Sequence, residues 1–255
     1  ARQRMDVLLR EDVRRLRQEP SLRRTDALAR LVEARHEDGS ALRDDEIVDQ
    51  LVTLLTGGHE TTAATLAWTF DLLLRAPDAL RRATEEARAA GPRLLDAELS
   101  WVVACVQEAM RIRPAGVATP RFLAQTVTFD DGRVVPAGCF MWACTYLVQQ
   151  RADVFPEPWV YRPERFVETS PPGGAFTPFG GGLRRCLGVA FAEREMTLVT
   201  ARMLQRLDLR LTPEAARSTT RSVFRGVTLV PDHRVPVQVG RTYVCAPPGA
   251  PASAG

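Results

Sequence analysis

The chain has 255 residues, and its 34 basic residues are all arginine, because lysine is absent. No Schiff base, P-loop lysine or Ser-Lys dyad can therefore be built. A balance of 45% hydrophobic and 25% charged residues is that of a globular protein of one or two domains, with enough apolar material for a sizeable core. The net charge of +3, with acidic residues interspersed among the arginines, calls for neither nucleic acid nor an anionic membrane. No run approaches 18 apolar residues, and the start Ala1-Arg2-Gln3-Arg4 lacks a signal-peptide core. Five cysteines without CxxC pairs (Cys105, Cys139, Cys144, Cys186, Cys245) fit a reducing cytoplasm, so a cytoplasmic chain without a membrane span is expected. The first residue is not Met, which suggests a fragment or a processed chain.

Residues 1 to 38 carry apolar residues at helical spacing (Met5, Leu8, Leu9, Val13, Leu16, then Leu28, Leu31, Val32). They predict two surface helices broken near Pro20-Ser21. A long helix is expected from Asp44 through Leu74, with Asp44 and Asp45 in its first turn. Pro77 opens a further helix to about Ala90, and another runs from Asp96 to Ile112, ending before Pro114. Alternation in Thr126 to Phe129 and Val134-Val135, around Asp130-Asp131-Gly132, predicts a small hairpin. Residues 149 to 178 read as a long irregular segment of functional character. A helix follows from about Leu187 to Leu207, then short strands at 208–211, 227–230 and 235–239, and a disordered tail from Ala246. The fold class is mainly α with small β-sheets.

Three constellations carry chemistry. Gly57-Gly58-His59-Glu60-Thr61-Thr62 sits inside the long helix, where each glycine costs roughly 1 kcal/mol relative to alanine. The missing side chains open a groove beside which Glu60 and Thr61 could deliver protons; a simple helix kink is the alternative. Glu108 and Arg111, at i and i+3, make an ion pair that the neighbouring Val102, Val103, Val106 and Met110 would partly bury, and Arg165 could complete a cluster. The sharpest is Phe176 to Gly188, in which Cys186 precedes a helix and follows arginines and a glycine loop. Dipole, charge and backbone N–H groups aimed at the sulfur would favour its thiolate. A phosphate loop lacks its lysine, and a cysteine nucleophile lacks a histidine with a motif around it, since only His36, His59 and His233 exist. A zinc site lacks clustered partners. A lone thiolate ligand fits heme iron, whose porphyrin supplies the other four ligands.

The order Gly57–Thr62, Glu108-x-x-Arg111, Pro163-Glu164-Arg165-Phe166 and Phe179-x-x-Gly182-x-x-x-Cys186-x-Gly188-x-x-x-Ala192 resembles the cytochrome P-450 heme-thiolate monooxygenases. The resemblance implies the cytochrome P-450 fold, incomplete at the N-terminus, with residues 1–245 the C-terminal portion of one domain and 246–255 the tail. It implies heme b (iron protoporphyrin IX) bound through Cys186, with Phe179, Gly182 and Gly188 in the ligand loop. Arg184 and Arg121 would pair with the propionates. Glu60 and Thr61 would be the acid and alcohol that deliver protons to dioxygen, and Glu108, Arg111 and Arg165 a structural network. Where the family often has histidine-arginine-aspartate, this chain reads Gln149-Gln150-Arg151-Ala152-Asp153, a mild deviation.

The implied activity inserts one atom of dioxygen into an apolar organic substrate, using electrons from a ferredoxin or a flavin-type reductase that Arg185 could help to recruit. Val117, Ala118, Thr119 and Val223 to Arg225 would face the substrate. The alternatives are a truncated heme-binding protein without turnover and a peroxide-using or isomerising heme-thiolate enzyme.

Overall fold

The computed structural model describes residues 2–19 and 25–243; the break at Pro20-Ser21 and the tail from Ala246 lie outside the described residues. The chain divides into two compact units, residues 1–60 and 61–255.

In the first unit, α1 (Arg2–Gln18) and α2 (Ala27–Glu33) form where the apolar spacing predicts them. The Asp26 carboxylate caps α2 by accepting from the Ala29 N–H at 3.0 Å. Val13, Leu16, Leu28, Ala29, Ile47 and Val48 make the core of this unit. Helix α3 (Asp44–Leu74) opens with three acidic residues in its first turn, which suits the positive end of its dipole, and Glu46 accepts from the Arg43 N–H at 2.8 Å. Its helical hydrogen-bonded run is uninterrupted at Gly57 and Gly58 over 31 residues, about 46 Å at 1.5 Å per residue.

In the second unit, the C-terminal part of α3 is followed by α4 (Pro77–Ala89), α5 (Ser100–Ile112), α6 (Thr145–Gln149), α7 (Arg165–Glu168), α8 (Val189–Arg206) and α9 (Pro213–Arg217). A core of Phe70, Leu73, Ala83, Leu94, Trp101, Val102, Cys105, Ala201 and Leu204 joins α3, α4, α5 and α8. The helix expected from Asp96 to Ile112 is two elements: a single 3-10 turn at Leu94–Asp96, then α5 from Ser100. The start of α5 is fixed by Glu86, whose carboxylate accepts from the Trp101 and Val102 N–H groups at 2.9 and 2.8 Å and so satisfies donors that have no partner within the helix.

Four two-stranded antiparallel sheets complete the described residues. They pair β1 (Thr119–Phe122) with β4 (Phe140–Ala143), β2 (Val127–Thr128) with β3 (Val134–Val135), β5 (Leu207–Leu211) with β8 (Val237–Thr242), and β6 (Ser222–Arg225) with β7 (Thr228–Pro231). The expected hairpin is β2–β3, with Val127 opposite Val135. No helix among the described residues is long and apolar enough to cross a membrane.

Candidate functional site

The Cys186 loop hangs from α5 and α8. Phe179 packs with Phe176 against Val106, Met110 and Met196, and its carbonyl accepts from the Cys186 N–H at 2.9 Å, closing residues 179–186 into a compact loop. Within it Gly180 (φ 71°) and Gly182 (φ 66°) occupy the left-handed region, which side-chain-bearing residues enter only at a cost. Helix α8 begins just beyond, the Gly188 carbonyl accepting from the Ala192 N–H at 2.8 Å.

The thiol of Cys186 is free and exposed. Close to it in sequence, Leu183, Leu187 and Phe191 are among the most exposed apolar side chains of the described residues, at 105%, 91% and 73%. A Cβ on Gly188 would touch the sulfur at 3.9 Å, whereas a Cβ on Gly180, Gly181 or Gly182 would meet nothing within 4 Å. Among the described residues neither Arg184 nor Arg185 has a carboxylate partner, and no hydrogen bond reaches the Cys186 sulfur. An open thiol, exposed apolar side chains and free guanidinium groups are what a flat, largely apolar group bearing carboxylates and a thiolate-binding metal needs. The residues present fit heme.

Behind the loop lies a buried ionic network. Glu108 and Arg111 have 0% side-chain exposure and pair through Nε at 2.7 Å and Nη2 at 2.9 Å. The expectation of partial burial is exceeded. The remaining Arg111 donors reach the carbonyls of Gln149 at 2.9 Å and Pro158 at 2.8 Å, and Glu108 also accepts from the Arg162 N–H at 2.9 Å and Arg165 Nε at 3.3 Å. Burial pulls the Arg165 guanidinium below its usual pKa, and the Glu108 charge opposes that shift. Every guanidinium and carboxylate here is satisfied, as a buried cluster requires.

Gln149 is the residue that sequence reasoning undervalued. Fully buried, it donates through Nε2 to the carbonyls of Met110 at 3.0 Å and Arg111 at 3.1 Å and accepts through Oε1 from the Thr177 N–H at 3.0 Å. It ties the end of α5 to the entry of the Cys186 loop. The signal for it was only that an amide carries both donor and acceptor.

The other predicted site residues stand apart in the chain. Arg121 is half-buried on β1, opposite Met141 on β4, and Nη1 donates to the Pro120 carbonyl at 2.9 Å. Glu60, half-buried, and Thr61, exposed, are consecutive residues of α3. Among the described residues no hydrogen bond or ion pair joins Arg121 to the Cys186 loop.

The family model described as Cytochrome P450 matches residues 1–234. The chain is 41% identical over 208 residues to "Putative cytochrome P450 137" of Mycobacterium tuberculosis, covering 82% of this chain and 41% of the relative. It is 37% identical over 240 residues to "Putative cytochrome P450 135B1" of Mycobacterium bovis, covering 93% and 49%. The crystal structure of a cytochrome P450, CYP102L1, superposes with a TM-score of 0.81 at 22% identity, over 94% of this chain and 56% of that one. The chain thus spans about half the length of the curated relatives it matches. With a profile match over most of its length and relatives at this identity, the chain that carries the Cys186 loop and its buried Glu108–Arg111–Arg165 support belongs to the cytochrome P450 family.

Proposed function

We propose that the protein is the heme-ligating portion of a monooxygenase acting on an apolar organic substrate. The observation that carries this reading is the exposed Cys186 thiol, held by a loop with two left-handed glycines and flanked in sequence by the exposed Leu183, Leu187 and Phe191. Bound heme supplies the activation of dioxygen and the transfer of one oxygen atom to a C–H bond, the partner donor supplying two electrons.

The chain's own residues would do the rest. Cys186 would give its thiolate to the iron, and Phe179, anchored on Met110 and Met196, would hold the ligand loop in place. Arg184 and Arg121 would hold the propionates through planar guanidinium forks. Glu60 and Thr61, consecutive on α3, would deliver protons to dioxygen. Glu108, Arg111, Arg165 and Gln149 would hold the loop's backing in place. The small or apolar Val117, Ala118 and Thr119, with Val223 to Arg225, would face the substrate, and Arg185 would help recruit an acidic ferredoxin or flavin-type donor. The family's heme is taken as heme b, and the setting as the cytoplasm.

Heme titration tests this reading: one equivalent should saturate a Soret band in the wild-type chain, and Cys186→Ala should lose the thiolate-type spectrum. If Cys186→Ala bound heme with an unchanged spectrum, the ligand assignment would be wrong. Donor-dependent oxidation of a reduced nicotinamide, diminished by Thr61→Ala in its coupling to product, separates oxygen activation from peroxide use and from heme binding without turnover.

A further inference from the structure

The β6–β7 hairpin is gripped along β7 and at the entry to β6, while β6 is exposed. Val223, Phe224 and Val227 are exposed, Phe224 to 63%, whereas Thr228, Leu229 and Val230 of β7 are buried, so β7 faces the unit and β6 faces outward. Three sets of polar bonds hold β7 and the residue leading into β6. Trp68, buried in α3, donates through Nε1 to the Leu229 carbonyl at 3.0 Å. The Leu229 N–H donates to the Ala115 carbonyl at 2.8 Å. Just before β6, the Thr220 hydroxyl donates to Asp71 Oδ1 at 2.8 Å and accepts from Arg75 Nη2 at 3.2 Å. Arg75 closes the set: it pairs with Asp71 at 3.1 Å and donates to the carbonyls of Ala215 and Ser218 at 2.9 Å each. Asp71 and Thr220 are only 4% and 6% exposed, so these bonds are shielded from water, and leaving either group without its partner carries a full desolvation cost.

Thr61, Trp68 and Asp71 belong to one continuous helix. Trp68 lies seven residues from Thr61, two turns along the same face, and Asp71 three residues beyond. A helix transmits position without the slack of a loop. The hairpin is therefore registered against Thr61 through about 15 Å of α3.

We propose that Trp68, Asp71, Arg75 and Thr220 form a latch that fixes the β6–β7 hairpin relative to Thr61, and that these positioning residues thereby set how an apolar substrate is seated. The seating role rests on the proposed function, in which Val223 to Arg225 face the substrate; the latch itself does not.

Two readouts on the heme-loaded protein test it. In hydrogen–deuterium exchange, Thr220→Val, which keeps the shape and removes the hydroxyl, should speed exchange of residues 221–231 about tenfold or more. Asp71→Asn should act in the same direction, and Thr220→Ser should restore slow exchange. The second readout is the spectral Kd of imidazole and its N-butyl and N-hexyl derivatives. Wild type should bind the longer chains more tightly, by up to about fourfold per buried methylene. Thr220→Val should lose most of that gain while keeping the Kd of imidazole itself. Unchanged exchange in Thr220→Val overturns the latch. Faster exchange with the alkyl gain intact overturns the seating role. A wild-type protein giving no heme or imidazole spectrum overturns the proposed function instead, and the exchange experiment on the heme-free chain still decides the latch.

Discussion

Replacing Glu108 by glutamine tests whether the network behind the Cys186 loop is held by charge rather than by shape. The substitution conserves volume, so no cavity forms. It removes the one negative charge that faces Arg111 and Arg165, whose side chains are 0% and 5% exposed, and turns an amide N–H toward donors that need an acceptor. Glu108 accepts four hydrogen bonds, from Arg111 Nε and Nη2, the Arg162 N–H and Arg165 Nε. Whichever oxygen the amide nitrogen replaces, it meets a guanidinium N–H: Arg111 Nε at Oε2, or Arg111 Nη2 and Arg165 Nε at Oε1, and burial denies the orphaned donor water. Removing one partner of a buried pair costs about 3–5 kcal/mol, a large part of the roughly 5–15 kcal/mol that holds a domain folded. The exposed Arg82–Glu164 pair at 3.6 Å is the control, since Glu164→Gln should cost no more than about 1 kcal/mol. Urea unfolding followed by tryptophan fluorescence is the assay, because Trp68, Trp101, Trp142 and Trp159 all lie in the second unit. A fall in midpoint at constant slope reads the loss directly. A Glu108→Gln loss no larger than that of Glu164→Gln would refute the reasoning.

Three further outcomes follow from the geometry. Gly182→Ala should destabilise the protein by about 1–2 kcal/mol, because φ of 66° is left-handed, while Gly181→Ala, with φ −153° and open space around it, should stay within about 0.5 kcal/mol; urea midpoints compare the two. Iodoacetamide at pH 8 should label Cys186 of the heme-free protein and leave Cys105 unlabelled, since Cys105 is buried and its thiol is pushed up to about 12 by burial; peptide mass mapping checks this, and added heme should protect Cys186. The same shift gives a pH dependence. The folded state keeps the Cys105 proton that the unfolded chain gives up near 9.0, so stability should be unaffected by this group below pH 9 and fall by about 1.4 kcal/mol per pH unit between 9 and 12. Tyr161, pushed well above 10 by burial, adds to the fall at the upper end. Urea midpoints at pH 8, 9 and 10 should show a shallower decline in Cys105→Ala.

The helices were legible because their apolar spacing and proline punctuation are local. Asp44–Leu74 and Pro77–Ala89 emerge within a residue or so of where Asp44, Leu74 and Pro77 put them. Strands β1, β4 and β6 were not legible: Thr119-Pro120-Arg121-Phe122 contains a proline, and each strand is defined by a partner that sequence periodicity does not display. The start of α5 was misread because the group that sets it, Glu86, lies on another helix. Within the candidate site, Cys186, its glycines and Glu108–Arg111 carry local motifs. Gln149 and the Trp68–Asp71 grip on the hairpin depend on pairs 28 to 161 residues apart, and no short window contains them.

The central claim is that Cys186 presents a thiolate to heme iron. The most direct measurement is the difference spectrum of the dithionite-reduced, heme-loaded protein with and without carbon monoxide. The account predicts the red-shifted Soret band of thiolate ligation in wild type and its loss in Cys186→Ala and in Cys186→His. The same red-shifted band in the Cys186→Ala protein, or its absence from a wild-type chain that has taken up a full equivalent of heme, would contradict it.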